Sequence, residues 1–331
     1  MNSASRPPVN PLLAIGIGIL AVSTASLLIR NAQSYAPSIV IAFFRLGAAT
    51  LLLSPFVLVK RRQELGSISR SEYMLALLSG TFLALHFAAW IKSLEYTTVT
   101  SSVVLVSTAP LWVALLSPFT VKEPVTRPIF LGLLLVMGGV FLVAFSDTCV
   151  WTGSNFSCPS STEFLRGEAF LGDILALVGA FAASLYIIIG RSLRSRVSLL
   201  SYVFIVYGMA AVILGVLMVV SGNSLVGYPP EAYFWMFMLA LIPQLFGHSI
   251  INYSLGYLSA AFVSIALLGE PVGSTILAYF FLDEVPSPLK MLGAGFILAG
   301  IYIASRVNVQ RAKQLDSVNN QVNIVDDDKM I

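Results

Sequence analysis

The sequence predicts an all-α integral membrane protein, with ten transmembrane helices arranged as two inverted five-helix repeats. Three observations carry that prediction. Hydrophobic residues make up 57% of the 331 positions and charged residues only 11%, with a mean hydropathy of +0.87. A soluble domain carries about 25% charged residues, so a soluble globular chain is excluded. Apolar runs near the ~20 residues a bilayer-spanning helix needs recur at 12–29, 37–59, 73–92, 98–119, 128–146, 170–190, 199–221, 232–252, 258–282 and 288–305. The second half of the chain also repeats the first at a shift of 161 residues.

The runs are continuous, as helices require; strands of a membrane barrel would be about ten residues long and alternating. The first run follows Arg6 and has the outline of a secretory signal. Its repeat counterpart, 170–190, reads as a span, so both are read as spans. The second run carries Arg45 about eight residues in, roughly 12 Å deep at 1.5 Å per residue. The third holds His86 and Trp90, the fourth Pro110, and the eighth Gln244, His248 and Asn252. In the ninth, Glu270 is followed directly by Pro271. Proline removes a backbone donor and clashes with the preceding turn, so Pro110 and Pro271 should kink or open their helices.

Lys and Arg in short loops collect on the cytoplasmic side. With the N-terminus inside, only Arg30, Lys92, Arg166 and Lys290 fall outside, Arg45 lies within a span, and the rest of the 19 basic residues fall inside. Both termini are therefore expected in the cytoplasm of a multi-pass plasma-membrane protein. The chain divides into a cytoplasmic N-terminus (1–11), a first five-helix unit (12–146), an external loop (147–169), a second five-helix unit (170–306) and a polar, disordered cytoplasmic tail (307–331). The external loop holds Cys149 and Cys158, a disulfide candidate in an oxidising location; two free thiols are the alternative. The net charge of +3 reflects the cytoplasmic loops, with no patch for nucleic acid.

At the 161-residue shift Gly18 meets Gly179, Ser23 meets Ser184, Arg30 meets Arg191, Pro110 meets Pro271, Glu123 meets Glu284, Gly132 meets Gly293 and Gly139 meets Gly300. Apolar matches alone would be chance in so hydrophobic a chain; matched Pro, Glu, Arg and Gly are not. An odd number of spans per unit makes the second unit enter the membrane from the opposite side, so the repeats are inverted. Glu123 and Glu284 then lie at span ends on opposite faces, read as solvated helix ends with a gating role as the alternative. The glycines of spans five and ten suit close helix approach, either within the chain or at a homodimer surface.

These residues also carry a resemblance. Phe43-Phe44-Arg45 in span two, Ala109-Pro110-Leu111 leading to Lys122-Glu123-Pro124, Leu268-Gly269-Glu270-Pro271-Val272 leading to Asp283-Glu284, and the closing Leu292-Gly293-Ala294-Gly295 with Gly300 resemble the EamA-type permeases of the drug/metabolite transporter superfamily. The resemblance covers about residues 12–306. It implies a ten-helix inverted-repeat carrier, commonly an exporter of amino acids or other small metabolites, and leaves the solute open. Arg45 has no basic partner in span seven, where the corresponding region offers Tyr207.

Ionisable and polar residues at membrane depth are costly and mark solute or ion pathways. Glu270 reads either as a proton-exchanging group or as a carboxylate capping broken backbone, with Ser274 one turn on as a hydrogen-bond partner. Gln244, His248 and Asn252, at i, i+4 and i+8, form one stripe facing the interior. His86, with Trp90 at i+4, lines a cavity or is a satisfied packing residue; Trp90, Trp112 and Tyr186 suit stacking on a flat or aromatic cargo, packing or an interface anchor. Ser107 and Thr108 line a cavity or bond back to their own helix. Arg45 holds an anionic group or clamps backbone carbonyls.

The chain carries no H-E-x-x-H, G-x-S-x-G or phosphate-cradling glycine motif. No enzyme activity, metal or cofactor is therefore expected. The expected partners are a small-molecule solute, the lipid bilayer and, as a coupling ion, protons. The function expected is secondary transport by alternating access. An exporter of drugs or amphipathic cations, and a solute channel, are the alternatives.

Overall fold

A computed structural model of the protein describes residues 7–96, 99–148, 150–152, 155–157, 168–282, 288–289 and 291–304. Cys149 and Cys158, Asp283, Glu284 and the tail from 305 lie outside the described residues. The described chain is overwhelmingly helical. Six stretches are long and apolar enough to cross a membrane: Pro11–Gln33, Ser38–Lys60, Arg70–Tyr96, Phe170–Arg194, Leu199–Val220 and Pro230–Leu255. Shorter apolar helical stretches, Ala109–Thr120, Arg127–Gly139, Ala260–Ser274 and Met291–Ala304, fall where the sequence places spans four, five, nine and ten.

Helix starts follow from local chemistry. In α1 (Pro11–Val22) the Asn10 side chain accepts from the Leu12 N–H, and proline opens the first turn, where no donor is lost. The helix is interrupted at Ser23-Thr24 and resumes as α2 (Ala25–Gln33). An unbroken α3 (Ser38–Lys60) carries Arg45 in its N-terminal half, and a short α4 (Arg62–Ser67) follows it. Ser69 and Glu72 cap α5 (Arg70–Tyr96) reciprocally, Ser69 N–H to the Glu72 carboxylate at 3.1 Å and Glu72 N–H to Ser69 Oγ at 3.3 Å.

Both proline sites open. The fourth span expected from sequence is split into α6 (Val99–Val106) and α7 (Ala109–Thr120), separated by Ser107-Thr108. The ninth is split likewise into α13 (Ala260–Leu267) and α14 (Glu270–Leu282), separated by Leu268-Gly269. Each proline is the second residue of the resumed helix, so it starts a half-helix rather than bending a continuous one.

Between the units, α8 (Arg127–Thr148) leads into a two-stranded hairpin that the sequence did not suggest. Its strands β1 (Val150–Thr152) and β2 (Asn155–Ser157) are antiparallel, with Val150 opposite Ser157. The second unit begins with α9 (Glu168–Arg194) and α10 (Leu199–Val220). The eighth span opens as α11 (Pro230–Leu239), widens to π geometry over Ala240–His248 around Pro243, and closes as α12 (Ser249–Leu255). Local π geometry inside an α-helix is often found at functional sites; this nine-residue segment carries Gln244 and His248.

Packing follows the repeat. The α5–α9 pair forms the most extensive interface; α10 packs on α3 and α5, and α1 packs on the π segment and α12. Small residues set the closest approaches. A Cβ on Gly132 would lie 2.7 Å from the Gly300 carbonyl oxygen, and one on Gly139 would lie 2.5 Å from that of Gly293. Since Gly132 and Gly139 are the shift partners of Gly293 and Gly300, α8 and the last helix, α15 (Met291–Ala304), cross with each glycine against the other's counterpart. These glycines therefore serve an intrachain crossing.

Candidate functional site

A cavity of about 90 Å³ lies among the broken helices. The repeat is visible in its wall. Six pairs of lining residues are related by the 161-residue shift: Val22 with Ala183, Ala25 with Tyr186, Trp90 with Ile251, Val106 with Leu267, Ser107 with Leu268, and Ala109 with Glu270. Position is shared and chemistry is not. Within a pair, one member is polar or aromatic and the other small or aliphatic in four cases, so the site is symmetric in geometry and polarised in composition.

Arg45, from the N-terminal half of α3, lines this cavity and is fully buried. Its Nε donates to Gln244 Oε1 at 2.8 Å, and the guanidinium carbon stands 4.1 Å from the centre of the Phe87 ring. Nη1 and Nη2 have no hydrogen-bond partner. Glu270 opens α14 and lines the same cavity. No ion pair within 4 Å joins the two.

The aromatic wall comes from α5 and the π segment. The His86 and Trp90 rings stack at 5.7 Å with 15° between planes, and Phe87 meets His248 edge-on at 5.4 Å. His86 Nδ1 is hydrogen-bonded to the Gly179 carbonyl at 3.0 Å, which fixes α5 against α9. Trp90 Nε1 and His248 Nδ1 are buried without partners.

Of the residues singled out from sequence, Glu270, His86, Trp90, His248, Ser107, Arg45, Tyr186 and Pro110 line the cavity. Gln244 and Asn252 stand behind it: Gln244 holds Arg45, and Asn252 Nδ2 donates to Tyr186 Oη at 2.5 Å and to the His248 carbonyl at 2.8 Å. Pro271 is not part of the lining, and three others point elsewhere. Thr108 bonds back to the Leu105 carbonyl at 2.7 Å. Trp112 packs edge-on against Phe181 at 5.3 Å. Ser274 Oγ, expected near the Glu270 carboxyl, donates instead to the Ser23 carbonyl at 2.9 Å, because the break in α1 leaves that oxygen free.

Sequence reasoning missed Ser23 and Ser264. Ser264 lines the cavity. Ser23 is buried at the α1 break, where its Oγ donates to the Ile19 carbonyl at 2.7 Å and to the Glu270 carbonyl at 3.3 Å. The neighbouring Gly273 is required here, since a Cβ on it would lie 2.2 Å from Ser23 Oγ. The shift partner of Gly273 is Trp112, so the two halves solve this contact differently. The match of Ser23 to Ser184 was the available signal, and nothing local marked a break.

Away from the cavity lining, an ion pair links the two repeats. Arg191 Nε meets Glu123 Oε1 at 2.6 Å, and Arg191 Nη1 donates to the Leu255 carbonyl at 3.0 Å. Glu123 Oε2 accepts from the Ala260 N–H at 3.0 Å. Two side chains thus tie the end of α7, the last turn of α9, the end of α12 and the start of α13.

Comparison with known proteins gives a consistent picture. Residues 10–145 and 170–306 each match the EamA-like transporter family. An uncharacterized transporter of Archaeoglobus fulgidus is 24% identical over 267 residues, covering 80% of this chain and 86% of its own. The pseudopaline exporter CntI of Pseudomonas aeruginosa is 24% identical over 296 residues, covering 89% and 95%. A solved structure described only as a crystal structure of a protein superposes with a TM-score of 0.71 at 15% identity, covering 91% of this chain and 98% of its own; at that identity it speaks for the fold alone. Two family matches spanning most of a helical, multi-pass chain are decisive: this protein belongs to the EamA-like transporter family.

Proposed function

We propose that the protein is a secondary transporter of the plasma membrane that exports small organic metabolites such as amino acids by alternating access. The observation that carries this reading is the paired wall of the cavity. Residues at equivalent positions of two repeats surround one site, so exchanging the conformations of the repeats exposes the same site to opposite faces. Ten spans with both termini in the cytoplasm make the repeats inverted, as this exchange requires. The four shorter apolar helices supply the remaining spans, and the distribution of Lys and Arg sets the orientation. The name of the CntI relative supports the outward direction.

Transport is driven by protons or by exchange, with Glu270 as the group that takes up and releases the proton or the solute's cationic end. The stacked His86–Trp90 pair beside a single carboxylate also favours a second reading, export of aromatic or amphipathic cations. Inside-out vesicles separate the two. Uptake of a radiolabelled amino-acid panel, with and without an imposed pH gradient, is expected to accumulate at least one amino acid. The Glu270→Gln protein should lose the gradient-driven part. Uptake of tetraphenylphosphonium with no amino-acid uptake would favour the second reading.

A further inference from the structure

Arg45 is held without being satisfied. Gln244 engages only Nε, Phe87 lies under the guanidinium face, and Nη1 and Nη2 lack partners in a fully buried side chain. Hydrogen bonds to charged groups are among the strongest in proteins, and a buried donor left unmet costs a comparable amount. An arginine that only clamped helices would be expected to spend these donors on backbone carbonyls, as Arg191 does with Leu255. Arg45 is instead oriented from behind and lines a cavity. A planar fork of free N–H groups matches the two oxygens of a carboxylate. Trp90 Nε1, also buried and unpartnered on the same wall, adds a donor and has no acceptor capacity to repel an anion.

The opposite charge comes from the other repeat. Glu270 lines the same cavity, and the shift partners of Glu270 and Arg45 are Ala109 and Val206, so each repeat supplies one charge and neither supplies both. We infer that the cavity recognises a dipolar solute with a free carboxylate bound by Arg45 and Trp90 Nε1 and a cationic amine received by Glu270. This rests on the transport reading above and narrows its solute class. A neutral dipole between two fixed charges leaves no net charge stranded at membrane depth, whereas a solute with only one of the groups leaves Arg45 or Glu270 unmatched. Because the poles belong to different repeats, the solute is gripped by both of the bodies that must move.

The test is competition in proteoliposomes holding the full-length protein, with uptake of a ¹⁴C-labelled amino-acid mixture as the signal. Unlabelled amino acids, their methyl esters and their N-acetyl derivatives serve as competitors. Loss of either charge is expected to weaken competition roughly 10- to 100-fold. Arg45→Met should bring acid and ester to parity, and Glu270→Gln should do the same for amine and N-acetyl. Esters competing as well as acids in the wild-type protein would overturn the inference while leaving amino-acid transport standing. That comparison needs no variant, so it decides the matter even if Arg45→Met fails to fold. Absence of any labelled uptake would overturn both the inference and the amino-acid reading.

Discussion

Glu64 shows how a single side chain on a surface helix reaches into the order of a span. Its carboxylate accepts from the Ser198 N–H at 2.8 Å and from Ser198 Oγ at 2.7 Å, and Ser198 is the N-cap of α10. Partial burial pushes the carboxyl up, but the hydrogen bonds from Ser198 and Ser201, with the charge of Arg61, together outweigh it and hold the group below its usual range. A carboxyl that binds its proton less readily when folded contributes stability above its ordinary range, and loses it as the pH falls through the folded value. Glu64→Gln should therefore lower the melting temperature in detergent at neutral pH, with the gap from wild type closing as the pH is taken below the carboxylate range. Ser198→Ala, which removes the cap itself, should cost about 0.5–2 kcal/mol. Legibility at this scale was uneven. Arg45, Glu270 and His248 announced themselves as polar groups in apolar runs. Ser23 did not, because serine in a span is unremarkable until a residue 250 positions away crowds it. Gly273→Ala is accordingly expected to reduce both folded yield and transport, since its Cβ has no room beside Ser23.

Among elements, the apolar runs and both proline openings were legible, because length, hydropathy and a missing backbone donor are local properties. The break at Ser23-Thr24 and the π segment were not, because packing across the repeat decides them. The α8–α15 crossing gives a sharp contrast. Gly300→Val should place side-chain atoms against Val136 and the Gly132 carbonyl, a Cβ there lying only 2.5 and 2.6 Å away, and overpacking typically costs about 1–3 kcal/mol. Gly295→Ala, with nothing within 4 Å, should be silent. Thermal unfolding of the two proteins, followed side by side, checks the pair. The Glu123–Arg191 tie is an element-scale device too, joining four helix ends. Arg191→Met should destabilise by about 1.5–3 kcal/mol, the worth of a charged hydrogen bond. Arg191→Lys, which keeps the charge and loses the fork, should fall between.

For the whole molecule, the helical class was readable from hydropathy and the two-unit repeat from its matches: matched Pro, Arg, Glu and Gly at one fixed shift are a global signal no single span carries. The chemistry of the cavity was half readable. The shift says which positions face each other, while the polarity of the site comes from the positions where the two halves differ, such as Glu270 against Ala109. A protein built this way should behave as a carrier. Solute counterflow in proteoliposomes tests that directly: vesicles preloaded with unlabelled amino acids are diluted into a trace of the ¹⁴C-labelled mixture. Alternating access about one site predicts that the label rises transiently above its equilibrium level and then decays, and that unloaded vesicles show no overshoot. Simple monotonic equilibration, identical in loaded and unloaded vesicles, would contradict it and indicate a pore.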